Sequence, residues 1–271
     1  MEPVREVIAY YDKFQEESRL AAGASRLELE RTKEILQQLL PKAPARIVDV
    51  GGAAGVYSAW LAELGYEVHL VDASERLIGE ARKVNATLSK PIASVSVADA
   101  RQLPQPDNFA DVVLVMGPLY HLTVEDARMK ALREARRVLT TSGLLVVAAI
   151  SRYASTLDGL ARSRAKDPAF TRIRDRDLLD GQHRNDTDKM DYFTTAYFHR
   201  PEDLRQEMRA AKFDGVKVLG VEGAGWMVAD FDARWADPVM REDLLATARA
   251  FESEPSMLGV SAHLLGIGRK A

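Results

Sequence analysis

Cysteine is absent from all 271 residues, which excludes disulfides, thiolate metal sites and a cysteine nucleophile and leaves the redox compartment unmarked. Nor does any run approach the roughly 18 apolar residues of a membrane span. The opening Met1-Glu2-Pro3-Val4-Arg5-Glu6 has no apolar signal core, so the default expectation is a cytoplasmic protein with no membrane partner. A large charge excess is missing too. A formal net charge of -3 disfavours nucleic-acid binding by phosphate neutralisation, although a local basic patch stays compatible with it. There is no internal repeat and no low-complexity tract. With 46% apolar and 28% charged residues, the chain has material for one large domain or a domain with an appended lid.

The most informative stretch is Arg46-Ile47-Val48-Asp49-Val50-Gly51-Gly52-Ala53-Ala54-Gly55. Apolar and β-branched residues around one acid, ending in small residues, read as a buried parallel strand that turns sharply into a helix near Val56. Small residues let a ligand approach the backbone, and the helix start turns free amides toward it. The dinucleotide pattern G-x-G-x-x-G fits poorly, because positions 53 and 56 are Ala53 and Val56. An acid followed by G-x-G-x-G fits at Asp49, Gly51 and Gly55, with Ala53 substituted. About twenty residues on, Asp72 closes the next apolar run, Glu67 to Asp72, where an acid suits a ribose. Ala93 to Ala100 and Phe109 to Met116 read as strands three and four. Ala131 to Leu139, a turn at Thr140 to Gly143, and Leu144 to Ile150 read as helix, turn and strand five.

Taken in order, these segments resemble the class I S-adenosylmethionine-dependent methyltransferases. The resemblance implies an α/β fold: a Rossmann-like, doubly wound, seven-stranded, mostly parallel sheet with an antiparallel last strand, N-terminal helices and a helical lid insertion. It implies S-adenosyl-L-methionine as cofactor. Asp49, Gly51, Gly52, Ala53 and Gly55 would form the cradle of its methionine part; Asp72, with Ala73, would hold the ribose; Asp99 and Ala100 would take the adenine edge; Met116 and Gly117 would follow strand four beside the transferable methyl. Tyr11, in Tyr10-Tyr11-Asp12, resembles an aromatic found at the cofactor mouth, and Arg26 and Arg31 are candidates for pairing with the cofactor carboxylate. No metal is expected.

Four regions follow from the pattern. Residues 1–45 are a helical cap, with Val4, Ile8, Tyr11 and Phe14 on one helix face and Leu27 to Leu40 on the next helix, stopped by Pro41 and Pro44. Residues 46–150 are the cofactor-binding core. Residues 151–200 are a lid or substrate insertion: 11 of the 20 residues from Arg172 to Asp191 are charged, which predicts little core of its own and closure together with the N-terminal helix. Residues 201–271 complete the sheet, with strand six at 216–221, strand seven at 261–268 and a helical cover from Pro238 to Glu252. Because a sulfonium carries its own activated methyl group, in-line alignment and exclusion of water are the main demands on the protein. Where an oxygen or nitrogen nucleophile must lose a proton, His121 is the candidate base. Tyr120, Arg152, Tyr153, His183, Arg184, Tyr197, His199 and Trp226 are the acceptor-pocket candidates. Absence of an Asn-Pro-Pro-aromatic sequence after strand four favours a small-molecule acceptor. A protein or RNA methyltransferase and an NAD(P)-dependent oxidoreductase are the alternatives.

Overall fold

The computed structural model describes residues 2–13 and 19–271; Phe14, and the side chain of Val4, lie outside the described residues. The strands are β1 (Arg46–Val50), β2 (Glu67–Asp72), β3 (Ser94–Val97), β4 (Ala110–Val115), β5 (Leu139–Ser151), β6 (Gln182–His183), β7 (Ala196–His199), β8 (Phe213–Gly220) and β9 (His263–Lys270). The first five lie parallel in the order β3-β2-β1-β4-β5. β9 then runs antiparallel to both β5 and β8. These are the seven strands expected. The insertion adds β7, which lies parallel to β5 at Ile150 and Ser151, and β6, antiparallel to β7. The tight turn expected at Thr140 to Gly143 is instead a bulge inside β5. Pairing jumps from Ala110–Leu139 to Val112–Leu144, and Ser142 takes a φ of 64°.

Alternation along the strands explains why both faces are covered. Val48, Val50, Val113, Val115 and Val147 meet Leu132, Leu204 and Met208 on one face. Ile47, Val112, Leu114 and Val146 meet Leu36, Leu61 and Ile78 on the other. The α-helices are, in chain order, α1 (Glu2–Lys13), α2 (Ser25–Leu39), α3 (Val56–Glu63), α4 (Glu75–Asn85), α5 (Pro118–His121), α6 (Glu125–Val138), α7 (Ala154–Ala161), α8 (Pro168–Asp180), α9 (Pro201–Ala210), α10 (Phe231–Ala236) and α11 (Pro238–Phe251), and α2, α3, α4, α6 and α9 supply these contacts. None of the described helices is long and apolar enough to cross a membrane.

The insertion differs from the lid expected. Asp167 caps α8 by accepting the amides of Ala169 and Phe170, Pro168 starts it, and Gly181 ends it at a φ of 79°. Its charged residues are spread around a helix whose inner side carries Phe170 and Ile173, and these pack on Tyr192 as a small core. Asp177, fully buried, accepts from Ser155 Oγ at 2.5 Å and sits 2.9 Å from His183 Nδ1. Charge density along the sequence overlooked this inner side, since helical periodicity places charged and apolar neighbours on opposite faces. The insertion is therefore packed from within.

A buried ion pair joins α6 to α9, with Tyr197 of the insertion packed on it. Arg128 on α6 donates to Glu207 on α9 at 2.7 Å and to the carbonyls of Leu122 and Thr123, and its guanidinium lies 3.7 Å from the centre of the Tyr197 ring. It thereby holds the segment after α5. Arg128→Ala leaves Glu207 as a buried charge without its guanidinium and should lower unfolding stability by about 3–5 kcal/mol, measured by chemical denaturation; a loss below about 1 kcal/mol, the value of a surface pair, would show that the pair is not a structural joint.

Candidate active site

The turn after β1 is held by the end of β2. Gly51 N–H donates to the Val71 carbonyl at 2.7 Å, and Ala53 N–H donates to Asp72 Oδ2 at 3.0 Å. Gly51 has a φ of 73°, and a Cβ there would lie 2.3 Å from Pro118 Cδ; a Cβ on Gly52 would lie 2.6 Å from Asp49 Oδ2. Both glycines are thus required by neighbouring protein atoms. Ala53 adopts a φ of 49°, a left-handed conformation that glycine takes without strain, so the methyl group is carried at a conformational cost. Gly55, at a φ of 87°, opens α3.

Asp49 is not in the cradle. Its position on β1 sends it toward α3, beneath the loop, where it is fully buried and accepts from Ser58 Oγ at 2.6 Å. Burial, assisted by the nearby charge of Asp72 and opposed by the Ser58 hydrogen bond, pushes its pKa up to about 6. It shapes the loop from below.

Above the loop, one cavity gathers Gly51, Gly52, Ala53, Asp72, Ala73, Asp99, Ala100, Met116, Gly117, Tyr11, Tyr120 and His121. Parallel pairing of β2 and β3 places Asp72 opposite Val97, so Asp72 and Asp99 leave the sheet at neighbouring positions on the same edge. Asp72 Oδ1 accepts from Ser74 N–H at 2.8 Å, and burial raises its pKa against these amide bonds. The Arg101 guanidinium, 2.5 Å from Asp99 Oδ2, holds the Asp99 carboxyl below its ordinary range. His121 lines the cavity, but both ring nitrogens are occupied: Nε2 accepts from the Tyr11 hydroxyl at 2.9 Å and Nδ1 donates to the Thr195 carbonyl at 3.2 Å. Burial pulls its pKa down to about 4. As placed, it offers no free nitrogen to an acceptor.

The remaining candidates sit away from this cavity, each held by a local partner. Arg26 pairs with Asp232 and lies over Phe231 and Trp235. Arg31 is buried against Glu34 and Glu252. Arg152 donates to the Phe198 carbonyl at 2.7 Å and to Asp203, and Tyr197 lies between Arg128 and Arg152. Arg184 donates to the His183 and Ala196 carbonyls. His183 is engaged by Asp177 and by the Tyr192 carbonyl, and His199 by Glu207 at 3.3 Å. Trp226 donates to the Val260 carbonyl, and half-exposed Tyr153 packs beside Gly259. Residue type alone made them candidates, and tertiary pairing withdrew them.

Sequence reasoning missed the opposite wall. Arg19, Glu28, Thr32, Tyr57 and His263 all line the cavity. Arg19 donates to both Glu28 oxygens, at 2.6 and 3.1 Å, and His263 Nδ1 lies 2.5 Å from Glu222 Oε1 and 3.8 Å from Glu28 Oε2. The ligand atoms of Glu28, Glu222 and His263 fall within 4.8 Å of one another, a convergence that the expectation of no metal did not include. One signal was available: Glu28 and Thr32 share the buried face of α2 with Leu27, Ile35 and Leu36. Burial opposes charge on His263, but Glu28 and Glu222 outweigh it and lift the pKa to about 9. A folded-state pKa above the unfolded value of about 6.5 stabilises the fold below that pH and loses the contribution as pH rises toward 9. Thermal unfolding should therefore show a stability loss of up to about 3 kcal/mol across this window, flattened in His263→Gln; equal pH profiles for the two proteins would refute the raised pKa.

Comparison with known proteins agrees with this geometry. Residues 48–147 match the family described as "Methyltransferase domain". The chain is 32% identical over 178 residues to the ubiquinone/menaquinone biosynthesis C-methyltransferase UbiE of Neisseria gonorrhoeae, covering 63% of this chain and 67% of that one. To the enzyme of the same name from Chromobacterium violaceum it is 30% identical, covering 67% and 72%. An S-adenosylmethionine-dependent methyltransferase from Thermotoga maritima superposes with a TM-score of 0.62 at 20% identity, covering 98% of this chain and 99% of that one, a likeness of fold. The glycine turn, the two acids on one sheet edge and the sequence relatives agree: the chain belongs to the class I S-adenosylmethionine-dependent methyltransferases.

Proposed function

We propose that this methyltransferase acts on a small molecule, and that the acceptor occupies the part of the cavity between the glycine turn and the Glu28–His263 wall. The carrying observation is enclosure. Val7, Ile8 and Tyr11 of α1 lie over the cavity, while Leu20, Val221 and Leu265 continue its lining. α1 is tied down by Arg76, which donates to the Tyr11 carbonyl at 2.6 Å, by Tyr10 to the Met190 carbonyl at 3.2 Å, and by Thr195 to Glu6 at 2.9 Å. Such a covered, largely apolar space suits a small acceptor better than a folded macromolecule.

The residues present fit the cofactor. Asp72 Oδ2 accepts from Ala53 N–H and Oδ1 from Ser74 N–H, and a carboxylate oxygen has capacity for more than one donor, so Asp72 would hold the ribose hydroxyls. Asp99 and Ala100 would take the adenine edge, and the side-chain-free turn at Gly51 and Gly52 would lie along the methionine part. Bound there, the cofactor supplies an already activated methyl group. The protein's share is to orient the acceptor, keep water out under α1 and accept or hold a proton where one must leave. The relatives are named C-methyltransferases, which supports a carbon nucleophile beside the oxygen or nitrogen first expected. A screen of whole-cell extracts with 13C-methyl-labelled cofactor tests both points: the chemical shift of the product methyl distinguishes carbon, nitrogen and oxygen, and label found only in protein or RNA would overturn the small-molecule reading.

Asp72→Ala should weaken S-adenosylhomocysteine binding by about 2 kcal/mol, the scale of hydrogen bonds to a charged group, as read by calorimetry. It should also lower stability, because the Ala53 and Ser74 amides lose their acceptor; unchanged affinity in the folded variant would remove the ribose assignment. On adding S-adenosylhomocysteine, amide exchange should slow in residues 6–13 and much less in 168–180, since α1 covers the cavity and α8 has its own packed side. Comparable slowing in both segments would restore the view that they close as one lid.

A further inference from the structure

Of the two histidines lining the cavity, only one has a ring nitrogen to spare. His121 is closed off by Tyr11 and Thr195. His263, at the start of β9, directs Nδ1 to Glu222 Oε1 at 2.5 Å, while the other Glu222 oxygen accepts the backbone N–H of His263 at 3.0 Å. The carboxylate is thus gripped twice by the residue it orients, and Glu222 itself is 2% exposed. His263 Nε2 makes no hydrogen bond among the described residues and is not among the buried unpartnered atoms, while the ring, 24% exposed, lines the cavity. A second carboxylate, Glu28, approaches the same Nδ1 and is itself clamped by Arg19.

We propose that His263 is an acceptor-binding residue: its Nε2–H donates to an anionic oxygen of the acceptor, with Glu222 and Glu28 as the positioning residues that hold Nδ1 and aim the ring. The inference rests on the methyltransferase reading and names the acceptor chemistry for that site. It is carried by the geometry of the two carboxylates on Nδ1, which leaves Nε2 as the outward donor. The raised pKa of His263, about 9, agrees with a ring that is already protonated near neutrality. Such a ring repels an ammonium acceptor and attracts a phenolate, enolate or carboxylate. Its neighbours do not compete for that role: burial pushes the Tyr57 hydroxyl pKa upward, so it stays neutral, and Arg19 is committed to Glu28. A divalent cation at the Glu28–Glu222–His263 cluster would be the rival occupant. It is disfavoured because Arg19 already occupies both oxygens of Glu28, and the backbone N–H and Nδ1 of His263 occupy those of Glu222.

The test uses the full chain saturated with S-adenosylhomocysteine, titrated with 4-nitrophenol below the pH at which the free probe ionises, and separately with 4-nitrobenzoate. Binding of 4-nitrophenol with the absorption band of its anion supports a phenol or enol acceptor; binding of 4-nitrobenzoate alone supports a carboxylate. His263→Gln should reduce the affinity for the bound probe on the order of tenfold or more, the loss of a charge-assisted hydrogen bond, with S-adenosylhomocysteine affinity unchanged. Glu222→Gln supplies the readout that a merely structural role would not move: the upper pH limit of probe binding should fall from near 9 toward the ordinary histidine range. Neither probe binding the wild type, 4-nitrophenol binding in its neutral form, probe affinity indifferent to His263→Gln, or an unmoved pH limit in Glu222→Gln would each overturn the proposal. So would micromolar binding of Mn2+ or Zn2+ by calorimetry that His263→Gln abolishes. Failure of the wild type to bind S-adenosylhomocysteine would instead strike the methyltransferase reading on which this one rests.

Discussion

The grip of β2 on the turn that follows β1 is the contact on which the site depends. Val71 supplies a carbonyl to Gly51 N–H, Asp72 supplies a carboxylate to Ala53 N–H, and the turn is thereby fixed across the sheet edge. A buried amide without a partner is costly, so a loop built this way has one shape. Asp49 presses against it from beneath and Pro118 from the side, each so close that Gly51 and Gly52 have no room for a Cβ. Asp72 consequently has two tasks, holding the loop and presenting oxygen to the cavity, and a substitution at Asp72 disturbs both.

Around that turn, buried polar pairs set where the cavity ends. Arg128 and Glu207 hold the segment after α5 against α9, while Arg19 with Glu28 and Glu222 with His263 form the far wall. Each pair carries desolvation that only close hydrogen-bonding geometry offsets, so each is a specific joint rather than a surface ornament. The Tyr11–His121 contact belongs to a different kind. It links α1 to α5 through a neutral imidazole whose charged form burial disfavours, and it joins two lining residues of the cavity with a hydrogen bond instead of an ion pair.

Much was legible in the chain because it was local. Strand, turn and helix from Arg46 to Glu63 follow from alternation and small residues, and Asp72 and Asp99 fall at strand ends for the same reason. The seven core strands and their antiparallel edge follow from the ordered resemblance. Where local reading failed, the missing fact was direction or partner. Asp49 was assigned to the cradle because it precedes the glycines, yet its parity on β1 turns it under them. His183, Tyr197 and His199 were assigned to the pocket by residue type, yet Asp177, Arg128 and Glu207, of which Arg128 is distant in sequence, occupy them.

Sequence by itself determined the class of fold, because periodicity and small residues act over a few positions and need no distant partner, and the ordered resemblance of those segments to one family implied the cofactor. Only the tertiary structure decided which polar groups come together at the wall of the cavity. Glu28, Glu222 and His263 come from α2, the segment after β8, and β9, and no spacing along the chain announces that they meet. Their charge, exposure and hydrogen-bonding capacity are properties of that meeting: a histidine alone titrates near its ordinary value, and between two buried carboxylates it holds its proton to about pH 9.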